Sequence, residues 1–66
     1  MSKDIRTLVC EVVTASNRPI DPENISKNIG VAWATALKYA MELVIEGKIT
    51  GIRTSKGWIF WRSIIE

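Results

Sequence analysis

Apolar residues recur every three or four positions in the first part of the chain, which is the spacing of one helical face. The stripe consists of Ile5, Leu8, Val9, Val12 and Val13. Ser2 precedes it and is suited to cap a helix N-terminus, while Cys10 lies beside it as a small apolar residue. The pattern predicts an amphipathic helix over residues 3–15.

The tetrapeptide DPEN carries the strongest signal for a helix start. Asp21 suits the capping position, Pro22 the first helical position, and Glu23 the first turn near the positive end of the helix dipole. We therefore predict a short helix over residues 22–28. Gly30 follows it as a left-handed stop.

A third helix is predicted over residues 32–46, because this stretch is rich in alanine and ends at Gly47. Only a short turn containing Gly30 separates it from the preceding helix. Two helices joined in this way form a helix-turn-helix arrangement.

The last part of the chain predicts a hairpin. Residues 48–54 and 57–63 are rich in Ile, Thr, Trp and Phe, as strands are. The turn between them consists of Ser55, Lys56 and Gly57. Upstream, Ile20 stands alone among polar residues and predicts a very short strand.

Both faces of the second predicted strand are apolar. Alternation places Trp58 and Phe60 on one face and Ile59 and Trp61 on the other. One face must pack against the helices. The other is predicted to be an exposed apolar surface and an interface, since soluble monomers rarely expose such patches.

The composition of the chain limits the classes of function that we expect. The chain has 66 residues, which suits one domain over residues 1–66, and 47% of them are apolar, which predicts an ordered fold. It has no histidine, one cysteine and no glycine-rich phosphate loop, so we expect no enzyme, metal site, cofactor or small-molecule ligand. No signal peptide or membrane-spanning run is evident, and a single cysteine cannot form an internal disulfide, so a cytoplasmic location is expected.

The net charge of +2 is mild, but positive charge is concentrated in two segments without acidic residues. Residues 27–41 contain Lys27 and Lys38. Residues 47–65 contain Lys48, Arg53, Lys56 and Arg62. Either this distribution arose by chance in a short chain, or the two segments form a surface that faces an anion.

The order of two helices, a turn, a third helix and a hairpin resembles the winged helix-turn-helix family over nearly the whole chain. The most specific part is IGVAWATALKYAMELVIEGKI, residues 29–49. The family's turn glycine, threonine, leucine, second glycine and apolar residue at the start of the wing fall on Gly30, Thr35, Leu43, Gly47 and Ile49. Small archaeal and bacterial transcriptional regulators look most similar. The resemblance implies an α+β fold with three helices followed by a two-stranded antiparallel hairpin.

It also implies double-stranded DNA binding, with the recognition helix at 32–46 in the major groove and the wing at 48–62 on the adjacent backbone. Lys38 would lie near base edges, whereas Lys27 and Thr35 on the helices, and Arg53 and Lys56 on the wing, would contact the backbone. The full set of implied DNA-binding residues is Lys27, Trp33, Ala34, Thr35, Leu37, Lys38, Arg53 and Lys56.

The chain departs from the family in its third helix. Ala32 stands where the family has a capping serine or threonine. The family pattern assigns the core to Val31, Ala36, Tyr39, Ala40 and Leu43. Trp33, Leu37 and Met41 are then left outward as an apolar stripe, which could instead anchor a protein partner in a larger complex.

A homodimer is expected, because small regulators of this type read paired half-sites. It would form through the first helix, the outer face of the hairpin or the C-terminal strand end with Ile64 and Ile65, and not through the recognition helix.

Overall fold

The structure of the protein is a computed structural model that describes residues 4–62. Its elements are α1 (Ile5–Ala15), α2 (Pro22–Ile29), α3 (Trp33–Ile45), β1 (Ile49–Thr54) and β2 (Gly57–Arg62). The two strands pair antiparallel. Three helices followed by a hairpin confirm the predicted α+β fold and its winged helix-turn-helix layout.

The first helix begins at Ile5 and is capped by Asp4, whose side chain accepts a hydrogen bond from the Thr7 amide at 2.8 Å. This hydrogen bond holds the pKa of the Asp4 carboxyl below its usual value. The predicted start at residue 3, with Ser2 as the cap, is wrong by two residues, because the extended backbone and side chain of Asp4 form the cap instead. Ser2 lies outside the described residues, as do Ile64 and Ile65.

The second helix confirms the predicted start and stop. The Asp21 side chain accepts hydrogen bonds from the Asn24 amide at 2.9 Å and from its Nδ2 at 2.8 Å. Pro22 occupies the first turn. Gly30 ends the helix with φ of 75°, and its amide donates to the Ser26 carbonyl at 2.8 Å.

The short strand predicted at Ile20 is confirmed. Its amide and carbonyl each form a 2.8 Å hydrogen bond with the backbone of Phe60. Strand β2 is therefore paired on both sides, by β1 and by Ile20, and anchors the hairpin to the helical part of the fold.

One apolar core lies between the helices and the inner face of the hairpin. Its buried members are Val9, Val13, Ile25, Ala36, Ala40, Leu43, Ile49 and Phe60. Among the positions predicted to be core, Ala36, Ala40 and Leu43 are buried, which confirms the helical phase. Val31 and Tyr39 are half-buried against the same cluster.

Gly51 has a packing role that the sequence pattern did not reveal. It lies in β1 opposite Phe60. A Cβ atom at this position would lie 2.7 Å from Cδ1 of Phe60 and 2.9 Å from Cγ2 of Val44. Glycine is needed here because the phenyl ring packs directly against the strand backbone.

Replacing Ala32 by serine is expected to stabilise the fold. Ala32 is the N-cap of α3 and has extended backbone geometry, but its side chain forms no capping hydrogen bond. A serine hydroxyl would accept from an amide of the first turn and raise the free energy of unfolding by about 1 kcal/mol. Urea unfolding checks this, with Ala34→Ser, inside the first turn, as the control. Equal stability of the Ala32→Ser variant and the parent would contradict the prediction.

Candidate nucleic-acid interface

The N-terminal half of α3 presents a small, mostly apolar surface to solvent. Trp33 is 54% exposed, and Ala34 and Lys38 are exposed as well. Because Ala32 supplies no cap, the first backbone amides of α3 receive no side-chain acceptor from it. The exposed surface thus combines one indole ring, one methyl group, one ammonium group and the positive end of a helix dipole.

The predicted apolar stripe of α3 is only partly exposed, which corrects the sequence interpretation. Leu37 and Met41 are half-buried and pack against the core, whereas Trp33 projects outward. The reason is that α3 packs against α1, α2 and β1, so that a wide arc of the helix is covered. Ile45, the last residue of α3, is 82% exposed and was not singled out by the pattern.

The cations on the helices differ in their partners. The Lys27 ammonium lies 3.2 Å from the Glu23 carboxylate, one helical turn away. Lys38 makes no ion pair with a described residue, and its Nζ lies 5.2 Å from the centroid of the Tyr39 ring. Thr35, the other implied phosphate contact, is half-buried. Lys38 is therefore the most available cation on the two helices of the helix-turn-helix.

The tip of the hairpin is a fixed turn that presents Lys56. The Thr54 hydroxyl donates to the Gly57 carbonyl at 2.8 Å and accepts from the Lys56 amide at 3.2 Å. Gly57 has φ of 120°, a conformation that favours glycine, as predicted. Arg53 lies beside the tip and is exposed. Neither Arg53 nor Lys56 forms an ion pair with another residue in the range 4–62.

Other cations are engaged near the start of α1 and the end of α3. Arg6 forms a salt bridge with Glu46, and Lys48 lies 3.9 Å from the same carboxylate. Of the predicted site cations, Lys38, Arg53 and Lys56 remain without an acidic partner in the described part of the chain, while Lys27 has one.

An apolar groove of about 450 Å³ lies on the outer face of the hairpin. It is lined by Ser16, Asn17, Arg18, Pro19, Ile52, Ile59, Trp61 and Arg62. Ile52 is 46% exposed, and Ile59 and Trp61 are half-buried. The outer strand face was predicted from alternation. The contribution of the loop before Ile20 was missed, because it depends on a pairing between distant parts of the chain.

Residues 4–62 contain no group of three or more histidine, cysteine or acidic side chains that could hold a metal ion. Within the same range, no helix combines the length and the apolar character needed to cross a membrane. Comparisons with known protein families, with curated proteins and with solved structures found nothing that matches the chain. Its function must therefore follow from the geometry of its own residues.

Proposed function

We propose that the protein binds double-stranded DNA as a small transcriptional regulator, with α3 in the major groove and the β1–β2 hairpin along the adjacent backbone. The observation that carries this proposal is the placement of the unpaired cations. Lys38 lies on α3, and Arg53 and Lys56 lie at the hairpin tip, so the two elements that would face the duplex carry cations without an acidic partner in the described residues. The lone cysteine suits a reducing cytoplasm, where we place this activity.

Contacts with the phosphate backbone of DNA would supply most of the affinity of the protein for DNA. Lys56 and Arg53 would each neutralise a phosphate beside the wing, and the first amides of α3 would donate to another. Lys27 would have to exchange the Glu23 carboxylate for a phosphate, which is feasible because an exposed ion pair contributes little stability. Affinity would then fall as salt rises, since binding releases condensed counterions.

Removing a cation of the wing, Lys56 or Arg53, is expected to weaken binding to DNA by a similar factor for every DNA sequence. Lys56→Ala or Arg53→Ala should lower the slope of log affinity against log salt by about 0.9, because one phosphate contact is lost. Fluorescence anisotropy with a labelled duplex across a salt series measures this slope. Lys48→Ala is the matched control: it removes the same charge from a lysine that lies 3.9 Å from Glu46. Unchanged slopes for both wing variants would refute the wing assignment.

The proposal as a whole is tested by selecting bound fragments from random duplex DNA and by retention on a DNA column over a salt gradient. We expect the protein to bind the DNA column at low salt and to be released at moderate salt. Absence of binding at low salt would remove the DNA proposal. It would favour the alternative, a protein-interaction winged helix in a larger complex.

The observation that favours this alternative is the exposure of Trp33, because a projecting tryptophan is a common anchor in protein interfaces. Leu37 and Met41 would contribute less than the sequence suggested, since both already contact the core. A tryptophan at this place also suits contact with a base, so its exposure alone does not separate the two functions.

We further propose a homodimer formed through the outer face of the hairpin, where Ile52 lines the groove and is exposed. A two-fold pair would present two copies of α3 to paired half-sites. Sedimentation equilibrium at micromolar concentration should give a dimer mass for the parent. It should give a lower mass for Ile52→Thr, which keeps the β-branched shape but adds a hydroxyl. Ile45→Thr, on the end of α3, is the control and should remain dimeric. A monomeric parent would sink this proposal.

A further inference from the structure

We infer that α3 reads DNA bases by contact with thymine methyl groups, with one cation for guanine, and that none of the exposed side chains in its N-terminal half is suited to adenine or cytosine. This inference rests on the proposed DNA binding and specifies what the same surface recognises. It follows from which side chains of α3 are free of the core and from the chemistry of those side chains.

The side chains available at the start of α3 are few. Recognition helices contact base edges mainly with their N-terminal residues. In this half of α3, Trp33, Ala34 and Lys38 are exposed, whereas Thr35 and Leu37 are half-buried and Ala36 is buried. The groups available for direct contact with bases are therefore the indole of Trp33, the methyl group of Ala34 and the ammonium group of Lys38. Leu37 is only partly accessible.

Each base presents a different edge in the major groove. Adenine is read by the paired donor and acceptor of asparagine or glutamine, and cytosine by an acceptor such as a carboxylate. The helix Trp33–Ile45 contains no asparagine or glutamine, and its one acidic residue, Glu42, lies in its C-terminal half. Guanine accepts hydrogen bonds from lysine, and thymine carries a methyl group that apolar side chains contact. Lys38 is therefore suited to guanine, and Trp33 and Ala34 are suited to thymine.

The shape of the helix start is consistent with close approach to a groove floor. Ala32 and Ala34, on either side of Trp33, are both exposed and carry only a methyl group. The backbone can therefore come near the bases at these positions, while the indole ring of Trp33 extends further. Burying a thymine methyl against Trp33 or Ala34 would remove apolar surface of both partners from water.

Uracil provides the test, because it differs from thymine in DNA only by lacking the methyl group. The full chain is used to select duplexes from a random thymidine pool. The best duplex is then remade with deoxyuridine at each thymidine in turn. Affinity is expected to fall about fourfold for each thymine whose methyl is contacted, the effect of losing one buried methyl-sized group. If selection enriches no sequence, the random pool is measured in its thymidine and deoxyuridine forms.

Two controls separate methyl contact from changes in DNA shape. Replacing a sensitive thymidine by 5-methyldeoxycytidine should retain more affinity than replacing it by deoxycytidine, since only the former keeps a methyl at that place in the groove. The Trp33→Ala variant should lose the discrimination between thymine and uracil at one position, with circular dichroism to verify its fold. Trp33 is exposed, so this substitution leaves the core intact.

The outcomes distinguish failure of the thymine-methyl inference from failure of the proposed DNA binding. DNA binding with equal affinity for thymine and uracil duplexes, in the best sequence and in the pool, would overturn the methyl readout and leave DNA binding standing. An absence of binding to any duplex at low salt would overturn both.

Discussion

Replacement of Phe60 by alanine is expected to destabilise the protein by about 3–5 kcal/mol, the range for truncating a buried phenylalanine. A domain of this size has roughly 3–10 kcal/mol of stability, at about 0.05–0.15 kcal/mol per residue. At the lower end of that range, the substitution removes all of the stability and unfolds the domain at room temperature.

The reason lies in the number of contacts that meet at this side chain. Phe60 is 0% exposed and is the largest fully buried residue of the described chain. Its ring packs against the backbone of Gly51, where no other side chain would fit, and stacks with Trp58 at a centroid distance of 6.1 Å. Alanine would leave a cavity that Gly51 cannot fill, because glycine has no side chain to move.

Urea unfolding followed by circular dichroism measures the effect. Phe60→Leu keeps most of the volume and should lie between the parent and the alanine variant, which makes the trend readable even if Phe60→Ala does not fold. Ile45→Ala, at the exposed last residue of α3, serves as the surface control. A Phe60→Ala variant within about 1 kcal/mol of the parent would show that the hairpin is not held by this ring.

The three helices, and both ends of α2, could be predicted because their signals are local. Asp21 and Pro22 determine the start of α2 through their own backbone preferences, and Gly30 ends it in the left-handed conformation. The hairpin follows from strand composition and from a turn that glycine permits at residue 57. None of these features needs information from a distant part of the chain.

The predicted exposure of the α3 side chains was less accurate, because exposure depends on neighbours in space. Spacing placed Leu37 and Met41 on an outer face, but packing of α1, α2 and β1 around α3 covers both in part. The pairing of Ile20 with Phe60, which brings a loop beside the outer hairpin groove, joins residues far apart in sequence. Alternation within one strand contains no information on such a pairing.

One ion pair of the structure could be predicted from local sequence spacing, and another could not. The pair between Glu23 and Lys27 has the four-residue spacing that brings charges together on a helix, so the sequence carried a signal that Lys27 is not free. The salt bridge between Arg6 and Glu46 joins α1 to the end of α3 and has no such signal. Whether a cation has an acidic partner is therefore predicted in part by the sequence and in part only by the fold.

Leu43→Ala is expected to lower the free energy of unfolding by about 2–5 kcal/mol, whereas Ile45→Ala should change it by less than about 0.5 kcal/mol. Both changes truncate a branched apolar side chain near the end of α3, and both introduce a good helix former. They differ in burial, because Leu43 is 2% exposed in the core and Ile45 is 82% exposed. Thermal and urea unfolding of the two variants side by side measure the difference. Equal effects would mean that α3 is rotated from the phase described, so that Trp33, Ala34 and Lys38 would no longer form its outer surface, and the assignment of that surface to DNA would fail with it.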